Sequence, residues 1–238
     1  MPGRVLPVRG DNTLDDLRAC AQPLGLAVLG AFHPGAGDAV PDLRAGGTLV
    51  LLGNTGTGFW DAVSDPVARA ESEGVRDPLD DWSQATVGRI AAAFHARALY
   101  PFRGPPYLPF QRWALRCGGF HRSPMGLLVH PDFGTWHAFR GALAFDRALD
   151  LPARDERPSP CESCVGKPCL TACPVGAFDG TGYDVPACAD HLDTEPGGPC
   201  MTRGCLARHA CPAGRDAAYP GAQAAYHMRR FRDRFRPR

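Results

Sequence analysis

This chain is nearly without lysine. Lys167 is the single one, and arginine supplies every other basic residue. Such a skew reads as the mark of a GC-rich genome rather than of selection for phosphate contacts. The chain also lacks an excess of charge of either sign: its formal net charge is +1. A balance this close leaves no global field to gather nucleic acid or an anionic membrane, so neither is expected as a partner. No stretch approaches eighteen consecutive apolar residues, which excludes an ordinary membrane-spanning helix. Met1 to Asp16 holds no apolar run of signal-peptide length, and the expected address is therefore the cytoplasm. What the chain does have is 238 residues, 44% of them hydrophobic and 21% charged, enough apolar material for one large or two small globular domains.

Cysteine is plentiful and concentrated. Eight of the ten cysteines lie between residues 161 and 212, punctuated by two Cys-Pro dipeptides. The first half reads Cys161-x2-Cys164-x4-Cys169-x3-Cys173-Pro174, and the second Cys188-x11-Cys200-x4-Cys205-x5-Cys211-Pro212. Ferredoxins with two [4Fe-4S] clusters use C-x2-C-x2-C-x3-C-P, in which the fourth cysteine reaches across to the other cluster. The first half matches that run apart from two extra residues before Cys169, and the segment around Cys205 and Cys211-Pro212 echoes the one around Cys169 and Cys173-Pro174. Two cubane clusters need eight thiolates, and eight are present. The crossed pattern assigns Cys161, Cys164, Cys169 and Cys211 to one cluster and Cys173, Cys188, Cys200 and Cys205 to the other. The wider intervals of the second set leave open that Cys188 or Cys200 is an onlooker. Structural zinc also takes four cysteines but does not call for Cys-Pro after the fourth ligand in both halves. Disulfides suit a secreted chain, and a reducing compartment keeps thiols free for metal.

Ahead of the cysteines, Thr13 caps a short helix to residue 21, with the early aspartates suiting its positive end. Leu26 to Phe32 reads as a strand. Thr48 to Leu52 reads as the clearest strand, a short apolar run of the kind buried on both faces. It enters the glycine-rich loop Gly53-Asn54-Thr55-Gly56-Thr57-Gly58. That loop has neither the dinucleotide order of glycines nor a following Gly-Lys-Ser/Thr. It is either a tight turn with Thr57 as N-cap or a ligand loop whose Gly56 and Gly58 offer backbone amides to a cofactor. Pro78 to Ala98 has one helical face in Trp82, Thr86, Ile90 and Phe94. After the irregular, proline-rich stretch from Pro101, a helix is expected from Phe110 to Cys117, ended by Gly118-Gly119. Met125 to His130 and Trp136 to Phe145 are strand candidates. Ala222 to Phe231 reads as a helix, and Arg229 to Arg238 as a basic tail that is either solvated or frayed or, through its interleaved phenylalanines, an RNA contact. Cys20 and Cys117 are most simply buried thiols.

The segment before the clusters carries a family resemblance. Arg112-Trp113-Ala114-Leu115-Arg116-Cys117-Gly118-Gly119, Gly126-Leu127-Leu128, Gly134-x-Trp136, Arg140-Gly141-Ala142-Leu143 and Leu151-Pro152 resemble the corresponding part of epoxyqueuosine reductases, cobalamin-dependent iron-sulfur enzymes of tRNA modification. The Pro-x-x-Gly-x-Trp region is also similar to CblC-type cobalamin-processing proteins, whose corrinoid domain is nitroreductase-like. The likeness covers residues 110 to 215 and is carried mostly by the cysteines. It implies an α+β chain, with a nitroreductase-like α/β domain at 1–152 and a small ferredoxin-like iron-sulfur domain at 153–238. It further implies a pocket lined by His121, His130, Trp136, His137 and Arg140 that holds cobalamin or FMN. This sequence departs from the reductases in lacking an Arg-Asp-Tyr-His type segment, and their helical-repeat domain for tRNA is expected to be missing. An Asp-x-His-x-x-Gly run is absent too, so a protein ligand beneath cobalt is not expected from that motif.

Three functions are open on these residues. The first is a reductase that drives a corrinoid or flavin through its two clusters, supplied by an electron-donor protein such as a flavodoxin or a ferredoxin reductase. The second is a ferredoxin-type carrier with no substrate of its own. The third is a corrinoid-processing chaperone of the CblC kind. They part on whether the first 150 residues bind a chromophore.

Overall fold

The computed structural model describes residues 13–235. The stretch from Met1 to Asp16 therefore lies mostly outside the described residues, as does the end of the basic tail at 236–238.

In chain order the first elements are helix α1 (Leu14–Ala21), strands β1 (Ala27–Phe32) and β2 (Thr48–Thr55), helices α2 (Gly58–Ser72) and α3 (Pro78–Ala93), strand β3 (Arg97–Leu99) and helix α4 (Phe110–Cys117). Strands β4 (His121–Arg122), β5 (Leu128–Val129) and β6 (His137–Phe145) follow. The rest is helical: α5 (Pro168–Thr171), α6 (Val185–His191), α7 (Gly198–Arg203), α8 (Leu206–Ala210) and α9 (Gly221–Phe235). The architecture is mixed α and β. It divides into two compact units, one of the residues up to Gly118 with His137–Asp155, the other of Gly119–Trp136 with the residues from Glu156 onward. A single cut after residue 152 does not separate them, because Gly119–Trp136 groups with the cysteine-rich half.

The first unit is built on an antiparallel sheet of order β1-β2-β6-β3. Strand β2 is buried from Thr48 to Asn54, as a central strand covered on both faces must be. It runs three residues past the expected end at Leu52, because β6 pairs it as far as Thr55↔His137. The register slips between Leu52↔Gly141 and Gly53↔Phe139, so Arg140 is the extra, bulged residue. Gly53 permits this, since a Cβ there would collide with the Ala138 carbonyl. Helix α1 has a full capping box between Thr13 and Asp16. Thr57 is the residue before α2, but its side chain makes no cap bond. Helix α3 stops at Ala93 rather than Ala98, because His95 takes a left-handed φ of 53° and the chain turns into β3. Helix α4 buries Phe110, Trp113, Ala114 and Cys117 along one stripe. The Trp113 indole Nε1 donates to the Asp38 carbonyl at 2.7 Å, so this fully buried ring leaves no unpaired donor.

The second unit opens with the β4–β5 hairpin, paired at His121↔Val129 and Arg122↔Leu128. Only Leu128–Val129 of the expected strand from Met125 to His130 is strand. Residues 123–127 instead close a turn in which the Ser123 amide donates to the Leu127 carbonyl at 3.0 Å. A second turn exchanges backbone hydrogen bonds between His130 and Gly134 at 2.9 and 2.8 Å. There the backbone meets the far end of the cysteine region: a Cβ at Gly134 would collide with the Ala213 carbonyl, and one at Gly214 with the Phe133 backbone. Both glycines hold positive φ, 55° and 66°. Helix α5 packs on α8, and α9 on α6 and α7. Among the described residues no helix is long and apolar enough to cross a membrane.

Candidate metal centre

Short elements carry the eight cysteines. Cys161 and Cys164 lie in a turn after Ser159, whose hydroxyl accepts from the Cys161 amide at 3.3 Å. Gly166 and Lys167 then take left-handed φ of 71° and 40°, which turns the chain into α5 and sets Cys169 in its first turn. The Ala177 amide donates to Cys173 Sγ at 3.3 Å. Asp184 caps α6 by accepting from the Ala187 amide at 2.9 Å, and α6 carries Cys188. Cys200 is on α7, while Cys205 and Cys211 flank α8 as its N-cap and C-cap. Pro212 follows where a helix cannot continue.

These thiols gather into two sets of four. Cys161, Cys164, Cys169 and Cys211 line a single cavity, with Pro160 and Pro212 beside them. Burial pushes the Cys161 thiol up from its ordinary range; the bond to Ser159 opposes this, and the neighbouring Cys211, Cys169 and Cys164 push the same way as burial. Cys169 is raised by burial and then by Cys211 and Cys164. In the other set, burial raises Cys188 against the pull of a Tyr183 hydroxyl that donates to its sulfur, and Cys173 and Cys200 add to the rise. Cys205 is raised by burial, opposed by the Arg208 and Ala207 amides, and raised further by Cys188 and Cys200. Each cysteine that raises Cys161, Cys169, Cys188 or Cys205 belongs to that thiol's own set. All ten cysteines of the chain are free thiols, and Cys20 and Cys117 are buried away from the rest. Among the described residues no three His, Cys, Asp or Glu side chains close on one point as the ligands of a single metal ion would.

Around the sulfurs lies a shell that spacing alone does not reveal. Ser123, Pro124 and Met125, at the tip of the β4–β5 hairpin, line the cavity of the first set. Met125 is buried against Cys169, Phe178 and Ala207, with Cys173 and Cys205 packed on the same cluster. Its thioether therefore stands where the two sets adjoin. Tyr183 stacks on Phe178 at 4.6 Å between centroids, and its phenol is driven far above its ordinary range by burial and then by the bond to Cys188. Arg208 of α8 lies over two rings, with its guanidinium carbon 4.5 Å from the Trp136 centroid and 4.8 Å from that of Tyr219. Its Nε donates to the Thr135 carbonyl at 3.1 Å, and an Nη reaches the same oxygen. The Ser123-Pro124 dipeptide, a turn signal, is the one hint of this shell in the sequence.

The residues expected to line a cofactor pocket are divided between the units. Gly56, Gly58, His137 and Arg140 belong to the first, and His121, His130 and Trp136 to the second. The bulge turns Arg140 inward, where its Nε donates to the Asn54 side-chain oxygen at 2.9 Å and its guanidinium sits 4.9 Å from the Phe59 centroid. Gly56 has a positive φ of 60°, and Gly58 begins α2 at the surface. His137 packs edge-on to Phe139 at 5.7 Å. His130 is buried and stacked on Phe133 at 3.8 Å, and its Nδ1 accepts from the Asp132 amide at 3.1 Å. Trp136 is buried against Tyr219 and His209. His121 keeps a buried Nε2 without a hydrogen bond.

No protein-family description matches this sequence, and no curated protein does. Among solved structures the chain is similar to the C. elegans B12-trafficking protein CblC, a human MMACHC homologue, at 13% identity and a TM-score of 0.48, over 94% of this chain and 96% of that one. It is similar to an epoxyqueuosine reductase determined with an epoxyqueuosine-modified tRNA-Tyr stem loop, at 14% identity and a TM-score of 0.46, over 87% of this chain and 66% of the reductase. A selenomethionine-labelled epoxyqueuosine reductase is similar at 14% identity and a TM-score of 0.41, over 89% of this chain and 68% of that one.

Proposed function

We propose that this chain is an iron-sulfur redox protein with two [4Fe-4S] clusters, one bound by Cys161, Cys164, Cys169 and Cys211 and the other by Cys173, Cys188, Cys200 and Cys205. The observation that carries the reading is the sorting of eight thiols into two sets of four, each mixing the two halves of the motif, with one set walling a cavity. A zinc ion holds its sulfurs at about 2.3 Å, so its ligands must close on one point. Thiolates on separate irons of a cubane stand further apart than the ligands of one zinc ion.

When bound, such clusters exchange single electrons at potentials set by net charge, hydrogen bonds to sulfur and exposure. The chain's own residues set those conditions. The Ala177 amide and the Tyr183 hydroxyl point hydrogen bonds at Cys173 and Cys188. Met125 and Phe178 keep water from the region between the sets. Arg208 holds α8, and so Cys205 and Cys211, against the Thr135–Trp136 backbone and ring. Because burial raises the Cys161, Cys169, Cys188, Cys200 and Cys205 thiols, loading a cluster there must release protons.

On this reading the first unit holds the cofactor that the electrons reach, cobalamin or FMN, and a flavodoxin-like or ferredoxin-reductase-like protein supplies them in the cytoplasm. A second reading, a ferredoxin-type carrier with no substrate, is favoured by one observation: Arg140, His130 and Trp136 already engage Asn54, Phe133 and Tyr219. One experiment separates them. Anaerobically purified protein is assayed for iron and acid-labile sulfide, examined by EPR after reduction, and titrated with cobalamin and with FMN. The reductase reading expects about eight irons per chain and a spectral change with one of the two cofactors. Eight irons with neither change would leave the carrier, and a colourless or zinc-loaded protein would falsify both.

A further inference from the structure

The dipeptide Ser123-Pro124 opens the hairpin turn, and both backbone groups of Ser123 are paired. The Ser123 amide donates to the Leu127 carbonyl at 3.0 Å, and the Ser123 carbonyl accepts from the Gly126 amide at 3.1 Å. Its side chain is a different matter. The Ser123 hydroxyl is sealed from solvent and has no hydrogen-bond partner among the described residues. A buried hydroxyl left unpaired is costly, so a partner outside the polypeptide is called for. Ser123 lines the cavity walled by Cys161, Cys164, Cys169 and Cys211. A water there would need two to four polar neighbours, about what an ordered internal water requires, and apart from Lys167 the walls offer chiefly sulfur, proline, methionine and alanine.

We infer that the Ser123 hydroxyl donates a hydrogen bond to a sulfur of the cluster held by Cys161, Cys164, Cys169 and Cys211, and so raises the reduction potential of that cluster above what the cysteines alone would set. The inference rests on the two-cluster reading above. A donor to sulfur stabilises the reduced state, which carries one more negative charge, over the oxidised one. The effect is confined to the first cluster. Met125, two residues along, packs beside Cys169, Cys173 and Cys205, but Ser123 lines only the cavity of the first set. Ser123 is a positioning and tuning residue here, with no part in ligation.

The test uses the full chain and its Ser123→Ala, Ser123→Thr and Cys211→Ser variants, each reconstituted anaerobically. Iron and sulfide are counted first, and the potentials are then read by EPR-monitored titration. Ser123→Ala is expected to keep the wild-type iron while one potential falls by about a tenfold change in the reduction equilibrium, about 59 mV for a one-electron couple. The moving signal is the one that Cys211→Ser removes, and Ser123→Thr restores it. Full iron with both potentials unmoved in Ser123→Ala overturns the inference, as does an equal shift of both. Should Ser123→Ala lose iron, retention of both iron and potential by Ser123→Thr supports the hydroxyl's role, and loss in both variants overturns it. A wild-type chain that takes up no iron overturns the two-cluster reading before any variant is made.

Discussion

Replacing Arg208 by methionine keeps the aliphatic stem and removes the guanidinium, which isolates what the charge and its donors contribute. Two aromatic faces lie 4.5 and 4.8 Å from that group, each worth about 0.5 to 1 kcal/mol at a half-exposed site. The charged donors to the Thr135 carbonyl add about 1.5 to 3 kcal/mol. Since the contacts share one side chain they do not add fully, and the loss works out at about 3 kcal/mol of local stability. Hydrogen exchange reads this directly without assuming that two units unfold together. Peptides spanning Cys205–Cys211 and Phe133–Trp136 should exchange about a hundredfold faster in the variant, at about 1.4 kcal/mol per factor of ten. Arg208→Lys, which keeps the charge but not the planar fork, should fall between. Exchange within threefold of wild type in Arg208→Met would mean that the cage is ornament, and that α8 is held by something else.

Gly134→Ala forces a left-handed φ of 55° on a residue with a side chain and drives its Cβ into the Ala213 carbonyl. It should cost about 3 kcal/mol or more and lower the iron bound at the Cys211 set, as read by iron counting beside hydrogen exchange; unchanged protection at residues 130–136 would contradict it. The Cys117 thiol is pushed from 9.0 up to about 12 by burial, against the pull of Arg154 and Arg116. A thiol whose folded value is raised contributes stability that is complete below the unfolded value and is lost as pH climbs toward the folded one. The advantage of the wild type over Cys117→Ala, followed by fluorescence of the neighbouring Trp113, should therefore shrink between pH 9 and about 12. A flat difference across that window would count against so deep a burial.

The parts legible in the sequence are those whose cause is local. Thr13 and Asp16 announce the start of α1, the apolar run at Thr48 announces β2, and Gly118 announces the end of α4, where φ is 89°. Cysteine intervals and the Cys-Pro pairs are local in the same sense, which is why the ligand candidates stood out. What stayed hidden depends on pairing between distant residues. The inward turn of Arg140 exists because β2 and β6 slip register at Leu52/Gly53, which neither strand shows alone. Met125 read as strand because apolar residues follow it, yet the turn from Ser123 to Leu127 leaves two residues of β5 to pair. His95 read as part of a longer helix because the apolar spacing of α3 carries through Phe94. Tyr183 and Arg208 gave no signal, since their roles come from Cys188, Trp136 and Tyr219 folding back upon them.

The second unit draws on two separate lengths of chain, Gly119–Trp136 and the residues from Glu156 onward. During synthesis the hairpin and Trp136 must wait, exposed, while β6 and the whole cysteine region are still being made, because Arg208, Ala213 and Tyr219 come much later. A recombinant fragment started at residue 153 would leave the hairpin behind. A working excision would splice Gly119–Trp136 directly ahead of Glu156, an internal deletion of 137–155 rather than a simple truncation.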